Sequence, residues 1–110
     1  MTQKYLEQLS GLMKGVKVDK NIRLECKHFF GGAACYVNGK IFASFSPVGF
    51  ALKLPERQRT ELIKDNEAKP LQYFPKAPIK KEYVVLPERI VIISEALKDL
   101  VKISIGYVLG

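Results

Sequence analysis

Between His28 and Ala43 the chain reads His-Phe-Phe-Gly-Gly-Ala-Ala-Cys-Tyr-Val-Asn-Gly-Lys-Ile-Phe-Ala, and this stretch limits the possible folds more than any other. Asn38-Gly39 between alternating apolar residues predicts a two-residue hairpin loop. Both central positions of such a turn need positive φ, which Asn and Gly reach at least cost. Strands are predicted over about 33–37 and 40–45. The tight loop sets Val37 opposite Lys40, Tyr36 opposite Ile41, Cys35 opposite Phe42 and Ala34 opposite Ala43. One face of the hairpin then carries Cys35, Val37 and Phe42, and the other carries Tyr36, Ile41, Ala43 and Phe45. Both faces are apolar, so a layer or a partner has to cover each. Upstream, Gly31-Gly32 marks a bend, read as a demand for positive φ.

The flanking segments supply helices and further strands. Tyr5, Leu6, Leu9, Leu12 and Met13 recur at three- and four-residue spacing, which predicts a helix over 2–14 with Thr2 as its N-cap and Gly15 at its end. Residues 22–28 alternate: Ile22, Leu24 and Cys26 against Arg23, Glu25 and Lys27. Ser46-Pro47-Val48-Gly49 is a turn signal and 50–54 a strand. Pro55 suits the first turn of a surface helix anchored by Leu62 and Ile63. From Asn66 to Lys81 a loop with three prolines is expected, with Tyr73 and Phe74 plugging the core. Glu82 to Leu86 reads as the last strand. The run 90–93 fits neither period. Ser94 is placed to cap a terminal helix whose stripe is Leu97, Leu100, Val101, Ile105 and Val108, widened by Ile103 and Tyr107. Residues 103–110 are the part of that helix with most β-branched character.

Eighteen Lys and Arg against eleven acids leave the 110-residue chain at +7, a field that favours polyanions. The length fits one domain, 1–110, with a real core. The N-terminus is polar and no apolar run reaches membrane-spanning length, so neither a signal peptide nor a membrane partner is expected. Cys26 and Cys35 are too few for a disulfide framework. They are expected as reduced, buried and inert in a cytoplasmic protein, with a redox pair as the alternative.

The order of Phe30-Gly31-Gly32, Tyr36-Val37-Asn38-Gly39, Phe42-Ala43, Leu52-Lys53, Arg59, Tyr73, Pro78 and Tyr83 through Leu86-Pro87-Glu88 resembles the N-terminal domain of the TfoX/Sxy competence regulators. The resemblance covers about residues 29–88. It implies a two-layer α+β domain: an antiparallel sheet of about five strands with N-terminal, central and C-terminal helices. Members are regulatory or uncharacterised proteins without an agreed active site. The full-length regulators carry a second, helical domain, for which this chain has no room. Pro55 stands where the family usually places an acidic cap.

No catalytic, cofactor or metal constellation is readable. His28 is the single histidine and is expected to cap a strand end. Gly31-Gly32 lacks the Lys and Ser/Thr of a phosphate loop. The expected activity is therefore non-enzymatic: a regulatory protein-interaction module, homodimeric through Tyr36, Ile41, Phe45, Ile103 and Tyr107. The alternatives are a basic nucleic-acid-binding module with Lys76, Lys80 and Lys81 as contacts beside Tyr73 and Phe74, and a small-molecule sensor or enzyme. Gly31, Gly32, Asn38 and Gly39 are expected as structural turn residues.

Overall fold

A computed structural model describes residues 2–29, 31–65, 68–72, 75–91 and 94–110. The chain forms α1 (Thr2–Met13), β1 (Leu24–Phe29), β2 (Gly32–Val37), β3 (Lys40–Ser46), β4 (Gly49–Lys53), α2 (Glu56–Asp65), β5 (Lys69–Leu71), β6 (Lys80–Val85), α3 (Glu88–Val91) and α4 (Ser94–Leu109). The strands make one antiparallel sheet in the order β1-β2-β3-β4-β6-β5. The fold is α+β, with six strands where about five were expected. The additional one is β5, three residues around Pro70 at the sheet edge. Proline lacks the N–H a central strand needs but is tolerated at an edge.

The hairpin forms where the sequence predicts it. Asn38 sits at φ 49° and Gly39 at φ 81°, and Asn38 Oδ1 also accepts from the Arg23 backbone N–H at 2.8 Å, tying the turn to the start of β1. The register beyond the turn differs from the sequence reading. Tyr36 pairs with Ile41, but Cys35 pairs with Ala43, Ala34 with Ser44 and Ala33 with Phe45. Phe42 is thus the extra residue of a β-bulge. The slip sends Ala43 and Phe45 to the face opposite from the one predicted. Phe42 and Ala43 are fully buried in the core, and Phe45 packs against it.

Glycine 32 earns its place differently from the expectation. Gly32 does not have positive φ. A Cβ on Gly32 would instead run into the backbone carbonyl of Phe45, so the close approach of β2 and β3 excludes a side chain there.

One face of the sheet is covered by helices. α1 packs on β1, β2 and β3, and α4 on β3 and β4. Leu9, Val37, Phe42, Leu52, Leu54, Val84 and Val101 are all fully buried between these layers. Each such side chain contributes about 1.5–3 kcal/mol over leaving it in water. The Tyr5 ring meets Phe45 edge-on, 5.2 Å between centroids. α4 is helical throughout 94–109, including the β-branched end. The predicted stripe faces the core, with Leu97, Val101 and Ile105 buried and Leu100 and Val108 packed against them, but Ile103 does not widen it: Ile103 is exposed, while Ser104 is fully buried and donates to the carbonyl of Phe42 at 3.2 Å. A buried serine is tolerated because its hydroxyl is satisfied there. Residues 88–91 form the short helix α3. The capping read for the Thr2 and Ser94 side chains, the core plug of Tyr73 and Phe74, and Phe30, Ile92 and Ile93 lie outside the described residues.

Candidate functional site

The second face of the sheet follows from strand alternation. Cross-strand partners share a face, so Lys27, Ala34, Ser44, Ala51 and Val85 form one row across β1, β2, β3, β4 and β6. A second row joins Glu25, Tyr36 and Ile41, and Lys53 pairs with Tyr83. Both α1 and α4 lie on the other side, where they meet Phe42, Leu52 and Val84. This helix-free face has small residues in its middle: Ala34 and Ala51 are fully buried and Ser44 nearly so. Larger side chains stand around them.

Small residues flanked by large ones make a trough. A groove of about 660 Å3 runs over this face, with Ser44 in its floor, Phe29, Tyr36, Ile41 and Tyr83 among its walls, and Pro47 and Val48 of the β3–β4 turn at one end. That volume is in the range of ligand and side-chain binding clefts. Lys80 is the charged group among the described lining residues; none of them is Asp, Glu, His or Cys. Two more cations border the face. Lys27 Nζ lies 5.2 Å from the Tyr36 ring centroid, and Lys53 Nζ 5.6 Å from that of Tyr83. The groove can therefore accept apolar or aromatic groups and tolerates negative charge at its margin. Its hydroxyls are those of Ser44, Ser46, Tyr36 and Tyr83, and no His, Asp or Glu stands among the described lining residues to activate one of them.

The residues singled out as dimer contacts fall in three places. Tyr36 and Ile41 are half-buried in the groove. Phe45 also touches the groove lining but packs its ring on Tyr5 beneath α1, which corrects its predicted face; the bulge at Phe42 is the reason. Ile103 is exposed on α4. Tyr107 donates its hydroxyl to Glu82 Oε1 at 2.7 Å. That hydrogen bond, then desolvation and the Glu82 charge, hold the Tyr107 phenol above its usual value, against the opposing pull of Arg59. Tyr36, Ile41 and Phe45 thus line the groove together, and Ile41 and Tyr107 line a smaller pocket beside it.

Of the basic candidates, Lys76, Lys80 and Lys81 are all exposed. Lys80 reaches the groove, and Lys80 and Lys81 together line a separate depression beside α2. His28 is exposed on β1, the edge strand, opposite Ala33. Among the described residues no group of three or more His, Cys, Asp or Glu could hold a metal ion. No helix among the described residues is long and apolar enough to cross a membrane.

The cysteines depart from expectation. Cys26 and Cys35 stand directly opposite across β1 and β2, Cα atoms 4.1 Å apart, and are joined as a disulfide, not held as two free thiols. The reason is the closeness of the strands: Phe29 pairs with Gly32, so counting back along the ladder brings Cys26 onto Cys35.

In comparisons with known proteins, the family model of the TfoX N-terminal domain matches residues 18–107 of this chain. No curated protein matches, and neither does any solved structure.

Proposed function

The chain belongs to the TfoX N-terminal domain family, and from that premise we propose that it is a non-enzymatic regulatory module working by protein–protein association at the helix-free face of its sheet. The observation behind this reading is the groove, with aromatic walls and a floor of small side chains. Such a trough takes the apolar protrusions of a folded partner, and its described lining residues include no Asp, Glu, His or Cys. A second copy of the chain is the partner proposed first, since a two-fold pair covers Tyr36 and Ile41 of both protomers at once. The setting proposed from the family is competence or transcription regulation in the cytoplasm.

Light scattering from about one to a hundred micromolar, the usual span of modest dimer affinities, tests the pairing. A rise toward twice the chain mass is expected, with Ile41→Asp remaining monomeric. Monomer mass throughout rejects it. A second reading, a nucleic-acid-binding module, is favoured by Lys27 and Lys53 standing over rings at the border of the groove, because bases stack on such platforms between phosphate contacts. It predicts retardation of DNA or RNA that fades steeply with salt and with Lys80→Ala plus Lys81→Ala.

A further inference from the structure

Beside the groove, a smaller depression of about 330 Å3 lies where α2 meets β6, lined in part by Arg59, Thr60 and Ile63 of the helix and by Ile79, Lys80 and Lys81. We infer that this depression docks an acidic, apolar segment of a protein partner: an aspartate or glutamate carboxylate next to an aliphatic side chain. The site is separate from the groove proposed above and names a partner chemistry that the groove does not specify.

The first argument is a cation without an acid of its own. Arg59 lines the depression, and its Nε, closed to solvent, has no hydrogen-bond partner among the described residues. A guanidinium carries further N–H donors side by side, which match the two oxygens of one carboxylate, and a carboxylate docked from outside meets those on its open edge. Among the described residues no carboxylate forms a salt bridge with Arg59. Glu61, two residues along the same helix, pairs instead with Arg57 at 3.7 Å. Glu56, at the lip, is outnumbered by Arg59, Lys80 and Lys81, so the local charge is positive and complements an anion.

The second argument selects the kind of anion. Ile63 and Ile79 are 41% and 54% exposed, and both lie in this lining. Exposed aliphatic side chains scattered singly need no explanation, but two beside a cation cluster make a mixed patch. A sugar–phosphate backbone has no aliphatic side chain to cover them. A peptide alternating acidic and aliphatic residues covers both isoleucines while its carboxylate meets Arg59.

Methyl spectra of the full chain provide the test. The probe is a blocked hexapeptide of alternating leucine and glutamate, compared with its glutamine counterpart, inorganic phosphate and a ten-nucleotide oligothymidylate. The acidic peptide is expected to shift the Ile63 and Ile79 methyls, and the glutamine peptide to leave them still. Arg59→Lys keeps the charge but loses the paired donors, so binding is expected to weaken about tenfold. Arg59 is half-exposed on α2, and an unchanged spectrum elsewhere verifies that the variant is folded. Silence at Ile63 and Ile79, equal shifts from the glutamine peptide, or unchanged affinity in Arg59→Lys overturns the proposal. Shifts from phosphate or the oligonucleotide as large as those from the peptide also overturn it, in favour of a phosphate site. Peptide-induced shifts at Ile41 alone would place the peptide in the groove, rejecting this site while leaving the groove reading intact.

Discussion

Beneath α1 and α4, the sheet presents Val37, Phe42, Leu52 and Val84, all fully buried. On the other face, interleaved along the same strands, stand Ala34, Tyr36, Ser44, Ala51 and Lys53. The first face fills its volume with branched and aromatic side chains, as close packing requires. The second keeps its centre small and places rings and cations around it. The difference teaches how one sheet can be divided: one face supplies most of the buried core, and the other carries the groove at which we propose that a partner docks.

Substitutions should therefore cost very different amounts on the two faces. Phe42→Ala, in the helix-covered core, is expected to destabilise by about 3–5 kcal/mol through lost burial and a cavity, read by urea denaturation. A cost below about 1 kcal/mol would mean that the core lies elsewhere. Reduction of Cys26–Cys35 comes next. The bond closes a short loop between neighbouring strands, so its loss is expected to cost about 2–3 kcal/mol on the loop-entropy account, seen as a lower melting temperature in the presence of a phosphine reductant. An unchanged melting curve would show that the ladder alone holds the edge strand β1. Ile41→Asp, on the helix-free face, is expected to change stability by less than about 1 kcal/mol while removing self-association. A large loss of stability would make Ile41 a core residue and erase the contrast.

The smallest expected effect is in pH. The hydrogen bond to Glu82 raises the Tyr107 phenol pKa in the folded chain. The protonated form is thus favoured on folding. Its contribution is full below the ordinary phenol value of about 10 and is lost as pH climbs through the raised folded value. Tyr107→Phe should flatten that alkaline loss in a pH series of melting temperatures. An identical alkaline slope in both proteins would remove Tyr107 from the account.

Local chemistry made much of this architecture legible in the sequence. Asn38-Gly39 is visible because only certain residues accept positive φ at both turn positions. The helix-bearing segments are visible because Leu9 and Met13, or Leu97 and Val101, recur at helical spacing and are buried together. What escaped depends on tertiary choices. Phe42 and Ala43 are both apolar, so pattern alone cannot say which of them a bulge absorbs. β5 is three residues long and contains Pro70, too short for any period to emerge. Ser104 faces inward because the Phe42 carbonyl awaits it, while the neighbouring Ile103 looked the better core residue. The depression at Arg59 joins residues from α2 and β6, which no motif along the chain announces.

The direct test of the central claim is amide hydrogen exchange at low and high protein concentration. The account predicts that added protection on concentrating the protein falls on Tyr36, Ile41 and Ser44 around the groove, with Leu52 and Val101 unchanged. Protection that builds at Ile103 on α4, or none at any concentration, would contradict it.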